Sequence, residues 1–145
     1  MAATHGGRPT PQPLPFELKF HHCGISVPDL EASIAWYGEM LGFEVEQRMS
    51  LDFIPAKIAL LRRGDLRLEL FEVPNSVPAA EDRRDPDRDV RTHGTKHVAF
   101  AVQDLPALAD EFRRRGVDIV FVKEPCIYIR DNCGTLIEFV RQPEP

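Results

Sequence analysis

An α+β fold made of two copies of one β-α-β-β-β module is predicted by three observations on this sequence. The stretch His22-Cys23-Gly24-Ile25-Ser26-Val27-Pro28-Asp29-Leu30 is echoed by His97-Val98-Ala99-Phe100-Ala101-Val102-Gln103-Asp104-Leu105. Each copy runs into a segment with apolar residues at helical spacing that stops at a glycine, Gly42 or Gly116. Each half then ends in strand-like runs, the last of which sets an acid between apolar residues: Leu68-Glu69-Leu70 and Ile137-Glu138-Phe139.

The elements follow in order. Residues 1–15 hold Pro9, Pro11, Pro13 and Pro15 with Gly6 and Gly7, which excludes a helix or central strand and reads as a disordered tail. Residues 16–27 alternate and read as a strand. Asp29 is placed to cap a helix carrying Leu30, Ile34, Tyr37 and Leu41. Phe43–Met49 is a second strand, and Lys57–Arg62 with Leu66–Glu72 forms a hairpin across Gly64-Asp65. This completes module one, residues 16–73. Residues 74–94 are polar, with nine charged side chains between Glu81 and Arg91. A loop of this length is a solvated connector or a lid that brings an arginine to an anionic substrate. Module two, residues 95–141, repeats the order: a strand from Lys96, a helix from Asp104 to Gly116, and strands Val117–Val122, Cys126–Arg130 and Thr135–Val140. Residues 16–145 are read as one domain.

The composition, 43% hydrophobic and 28% charged over 145 residues, is that of a globular chain able to bury roughly 68–70% of its unfolded surface. A net charge of -5 argues against nucleic acid and anionic membrane as partners. The three cysteines, Cys23, Cys126 and Cys133, form no metal-finger spacing, and an odd number argues for the reducing cytoplasm. No apolar run reaches the ~18 residues of a membrane span, and the start lacks a secretory pattern. Cys23 reads as core, Cys126 and Cys133 as structural or surface positions, His93 as part of the solvated loop, and Trp36 and Tyr37 as packing residues.

Strand parity sorts the remaining candidates, because alternate side chains point to opposite faces. Cys23, Ile25 and Val27 share one face, with His22, Gly24 and Ser26 on the other. Leu66, Leu68 and Leu70 oppose Arg67, Glu69 and Phe71. Val98, Phe100 and Val102 oppose His97, Ala99 and Ala101. Ile137 and Phe139 oppose Leu136, Glu138 and Val140. Each strand thus has an aliphatic face for a helix and an opposite face of mostly small or apolar residues bearing one metal-capable side chain. His21 and Glu72 fall on the wrong parity, at strand ends, and are assigned to solvent or the rim. Phe71 and Tyr128 are candidates for the pocket wall. Two histidines and two glutamates suit a divalent ion; the bland alternative is a sheet with one wet side, which would show Lys, Thr and Glu there.

His22-x-Gly24-Ile25-x-Val27-x-Asp29-Leu30, then Trp36-Tyr37 and Leu41-Gly42-Phe43, resembles the opening of the vicinal oxygen chelate superfamily. Lys96-His97-Val98-Ala99-Phe100 and Asp131-Asn132-x-Gly134-x-Leu136-Ile137-Glu138 resemble its second half. That superfamily includes glyoxalase I, methylmalonyl-CoA epimerase, extradiol dioxygenases and fosfomycin resistance proteins. The resemblance implies two βαβββ modules curling into an open, cup-shaped mixed sheet around one metal, ligands at His22, Glu69, His97 and Glu138, and a homodimer.

The expected cofactor is one divalent metal per chain, Zn, Ni, Co, Mn or Fe, and the expected partner is a small substrate with adjacent oxygens. The metal would act as a Lewis acid on a carbonyl, stabilising an enediolate, with Glu69 or Glu138 as the base. Two carboxylates flanking a substrate suit an epimerase, acting on a cyclitol ketone such as 2-epi-5-epi-valiolone or on an acyl-CoA. A glyoxalase I-type lactoylglutathione lyase is the alternative, with Arg62, Arg63 and Arg67 as candidate glutathione contacts. An extradiol dioxygenase ranks lower, since Glu69 would be a surplus ligand, and a non-catalytic drug-binding protein would lack the ligands. Asp52 is a candidate second base for an acyl-CoA substrate.

Overall fold

A computed structural model describes residues 12–143; most of the tail expected over 1–15 lies outside the described residues. The element order is β1 (Cys23–Ser26), α1 (Leu30–Leu41), β2 (Glu44–Leu51), β3 (Ala56–Arg63), β4 (Leu66–Glu72), then β5 (Val98–Val102), α3 (Leu105–Arg115), β6 (Asp118–Lys123), β7 (Cys126–Arg130) and β8 (Leu136–Arg141). Between the modules lie a 3-10 turn (Glu81–Arg84) and the four-residue helix α2 (Pro86–Asp89).

The strands make two four-stranded mixed sheets of identical plan, β1-β4-β3-β2 and β5-β8-β7-β6. In each, the first strand pairs parallel to the last, and the rest is antiparallel. The repeat extends to fine detail. Asp29 accepts a hydrogen bond from the Ala32 N–H at 3.0 Å, and Asp104 accepts one from the Ala107 N–H at 2.9 Å. Gly42 and Gly116 close the helices at φ 73° and 70°, a left-handed conformation that suits a residue without Cβ. β2 and β6 carry a register shift at matching places, between Val45 and Gln47 and between Ile119 and Phe121.

The sheets are joined by packing rather than by ladder hydrogen bonds. Ile25, Val27, Leu61, Leu68 and Leu70 of module one form one buried cluster with Leu105, Phe112, Ile129, Ile137 and Phe139 of module two. Ile25, Val27, Leu68, Leu70, Ile137 and Phe139 are among the residues that parity assigned to the aliphatic faces, whereas Leu66, of the same parity, is 43% exposed at the strand end. Phe43 meets Phe100 at a centroid distance of 6.0 Å across the module boundary. On the same boundary the fully buried Tyr37 donates from Oη to Asp131 Oδ2 at 2.8 Å, and burial together with the Asp131 carboxylate pushes the Tyr37 phenol well above its ordinary value. Asp131 also accepts from the N–H groups of Cys133 and Thr135, so it holds the β7–β8 turn as well. Tyr37→Phe should therefore lower stability by about 2 kcal/mol, because a buried carboxylate oxygen loses its donor. Urea unfolding followed by circular dichroism measures this; a change under about 0.5 kcal/mol would mean the pair is not a staple.

Two expectations change here. Residues 16–22 form no strand: the strand begins only at Cys23. Alternation sets the face of a strand but supplies no partner, and none of the described residues pairs with this arm. Its apolar row, Leu14, Phe16, Leu18 and Phe20, is 61–80% exposed and shares the parity of His22. The charged connector is also not simply solvated. Asp89 is 1% exposed, and its Oδ1 accepts from Arg83 Nε and Lys96 Nζ, each at 3.2 Å. Lys96 Nζ further caps the carbonyls of Asp89 and Thr92. A buried carboxylate between two cations pins the connector to the start of β5.

Candidate metal centre

His22, Glu69, His97 and Glu138 all lie outside the buried core cluster. His22 directly precedes β1, and β4 runs beside that strand with Gly24 opposite Glu69. His22 Nε2 lies 2.9 Å from Glu69 Oε2. In module two, Ala99 pairs with Glu138, and His97 Nε2 lies 2.8 Å from Glu138 Oε2. The side chains are partly shielded: 35% and 17% exposed in the first pair, 23% and 18% in the second. Two imidazole nitrogens and two carboxylates thus arrive as two His–Glu pairs, one per module. Among the described residues, no three or more His, Cys, Asp or Glu side chains gather into one cluster able to hold a metal ion.

The surroundings of the pairs differ. Opposite Glu69 on β3 stands Leu60, and opposite Glu138 on β7 stands Tyr128. Tyr128 Oη is 3.4 Å from His97 Nε2, and the rings meet edge to face at 5.1 Å. Burial first, then the Glu138 carboxylate, pushes the Tyr128 phenol up to about 12. Phe121 packs on Tyr128 at 5.0 Å. Cys126 shares this face, and burial followed by the Glu138 charge raises its thiol, so it belongs to the pair's surroundings rather than to a bland surface. Phe71 lines the first pair's face: a Cβ at Gly24 would lie 3.2 Å from Phe71 Cε2.

Other candidates are placed elsewhere. His21 is exposed, with Nδ1 2.7 Å from His22 Nδ1. Glu72 does not look to solvent: Oε2 accepts the Leu30 N–H at 2.7 Å and Oε1 meets Lys57 Nζ at 3.1 Å, which holds its carboxyl below the ordinary range. It caps the start of α1 from 42 residues away, a role with no local signal. Arg62, Arg63 and Arg67 are engaged within the chain: Arg67 forks onto Glu46, Arg62 donates to the Gly64 carbonyl, and Arg63 donates to the Leu41 carbonyl. Asp52 stands on the exposed β2–β3 turn, and His93 is exposed. Cys23 and Cys133 pack against the core, and all three cysteines are free thiols.

The profile of the Glyoxalase/Bleomycin resistance protein/Dioxygenase superfamily matches residues 19–139. The chain belongs to this superfamily. Solved members of the superfamily agree in fold: the trypanothione-dependent glyoxalase I of Leishmania major superposes with a TM-score of 0.69 at 23% identity, covering 86% of this chain and 87% of that one. A superfamily domain from Frankia sp. EAN1pec also superposes with a TM-score of 0.69, at 22% identity, covering 89% and 95%. Among curated relatives, YwkD of Bacillus subtilis (strain 168) is 31% identical over 101 residues, 68% of this chain and 72% of its own. The 2-epi-5-epi-valiolone epimerase of an Actinomyces species is 30% identical over 115 residues, 69% of this chain. The matched region spans 60% of that epimerase's length. The superfamily contains enzymes and commonly uses a divalent metal. No helix among the described residues is long and apolar enough to cross a membrane.

Proposed function

We propose that this protein is a divalent-metal-dependent epimerase acting at a carbon beside a ketone or thioester carbonyl. The leading substrate class is a cyclitol ketone such as 2-epi-5-epi-valiolone, and an acyl-CoA is the second. The observation that carries the reading is the repeated His–Glu contact, His22 with Glu69 and His97 with Glu138, on the face that the core does not use. Imidazole nitrogen and carboxylate oxygen converging from adjacent strands are donors that fit Zn²⁺, Ni²⁺, Co²⁺, Mn²⁺ or Fe²⁺. Held there, the ion would supply Lewis-acid polarisation of the substrate carbonyl.

The rest of the chemistry falls to the chain. One glutamate takes the proton from the carbon beside the carbonyl, and the bonding electrons pass into the carbonyl. The other returns a proton to the opposite face, so the stereocentre inverts with no net redox change. Tyr128, a phenol that stays protonated through neutral pH, stands beside His97 to donate a hydrogen bond to a substrate oxygen. The relative from Actinomyces, named for epimerisation of 2-epi-5-epi-valiolone, supports the substrate class. The internal engagement of Arg62, Arg63 and Arg67 weighs against the glutathione-dependent lyase.

In this reading a second copy completes the donor set. Among the described residues, β1 and β5 each pair with a single strand, which leaves each sheet an edge next to its His–Glu pair. Setting β1 of one subunit against β5 of the other brings His22 and Glu69 to the partner's second module. The exposed row Leu14, Phe16, Leu18 and Phe20 supplies apolar surface for such a homodimer.

Deuterium exchange tests the reaction class. The metal-loaded protein is incubated in D₂O with the valiolone ketone, methylmalonyl-CoA and the methylglyoxal–glutathione adduct. Label at the stereocentre of the ketone or thioester, with no change in oxidation state, is the expected result. Lactoylglutathione as the sole product would move the assignment to glyoxalase I, and exchange with none of the three would reject it.

A further inference from the structure

A second cavity adjoins the His–Glu faces. The end of β1, the connector and the β7–β8 turn enclose a cavity of about 380 Å³, lined in part by Ser26, Val27, Val77, Arg84 and Thr135. Its walls are largely hydrocarbon, and its polar groups are hydroxyls and guanidinium.

Arg84 stands out in the charge pattern of the chain. The protein carries a net charge of -5. Among the described residues, eleven arginines make a side-chain ion pair or hydrogen bond: Arg63 to a carbonyl and the others to acids. Arg84 and Arg91 make none. Of these two, Arg84 lines the cavity. It is held in place without an acid. Its carbonyl accepts from Arg130 Nε at 2.7 Å, and its guanidinium lies against Gly134, where a Cβ would come within 2.7 Å of Arg84 Cζ. The missing side chain at position 134 makes room for that guanidinium, whose five N–H donors keep their capacity for a ligand.

We infer that this cavity binds a small oxyanion, carboxylate or phosphate monoester, carrying a short apolar body. The anion forks onto Arg84, the Ser26 and Thr135 hydroxyls add donors, and the hydrocarbon tail lies along Val77, Pro78 and Ala79. Guanidinium matches oxyanion geometry with two parallel hydrogen bonds. A neighbouring cavity of about 360 Å³ shares Ser26, Arg83 and Thr135 with this one and is lined by His97, so the site opens toward module two's His–Glu pair. The inference does not require a metal or the epimerase reading.

The test uses the full chain, with and without added metal. Butyrate, butyl phosphate, inorganic phosphate and neutral butyramide are titrated, followed by calorimetry and by amide shifts in 1H–15N NMR. Saturable shifts at Ser26, Gly134 and Thr135 with butyrate or butyl phosphate, and none with butyramide, are expected. Which of the two anions binds more tightly names the natural head group. Arg84→Gln should weaken binding about tenfold or more. Val77 is 85% exposed at the rim, so Val77→Asp leaves the fold intact and repels the anion, while the neutral Val77→Asn weakens binding less than Val77→Asp. Equal binding of butyramide, inorganic phosphate binding as tightly as butyl phosphate, or unchanged affinity in both Arg84→Gln and Val77→Asp would each overturn the site.

Discussion

Glu138→Gln should stop deuterium wash-in from one epimer of the substrate while sparing exchange from the other, and Glu69→Gln should do the reverse. The reason lies in the placement of one carboxylate per module. If the two flank the reacting carbon, each serves one face, and an amide of the same shape cannot take a proton. A positioned base is worth about 10²–10⁴-fold, so loss of that size is expected for the epimer whose base is removed. Glutamine keeps an oxygen that can face His97, so Glu138→Gln preserves the contact now 2.8 Å long better than alanine would. Metal content measured on the same samples separates loss of the base from loss of the ion. Wild-type exchange of both epimers by both variants would remove the glutamates from the chemistry.

The second large effect concerns assembly. His22→Ala and His97→Ala chains should each be inactive alone and regain activity when mixed and allowed to exchange subunits. A mixed dimer has one seam carrying both substitutions and one carrying neither. With random exchange half the dimers are mixed, so recovery should approach about a quarter of the wild-type rate per chain. Recovery is expected only if the pair on β1 and β4 works with the pair on β5 and β8 of another copy. If all four donors acted within one chain, every chain in the mixture would lack a histidine and the rate would stay at background.

Much of this architecture could be read from residue order. Asp29 and Asp104 announced the helix starts, and Gly42 and Gly116 their ends, because caps are local devices. Parity separated Glu69 from Leu68 and Leu70, since the side-chain period in a strand is two. What stayed hidden was long-range. Glu72 caps α1 through a contact that no window of neighbouring residues contains. Asp89 sits in a charge-dense run that reads as solvated, yet Lys96 and Arg83 bury it to 1% exposure. Residues 16–22 have the alternation of a strand but no neighbour among the described residues to ladder with. Parity also fixes which face a ligand takes, but not which two faces meet, so four donors could be named without foreseeing that they come as two pairs.

The unpaired arm before β1 has a wider consequence. Phe20 and Leu18 are exposed just before His22, so docking them on another copy would both glue the subunits and wall off the first half of the reaction chamber. Association and desolvation would then be a single event. Such a protein would switch itself on with its own abundance: sparse chains idle, crowded chains at work.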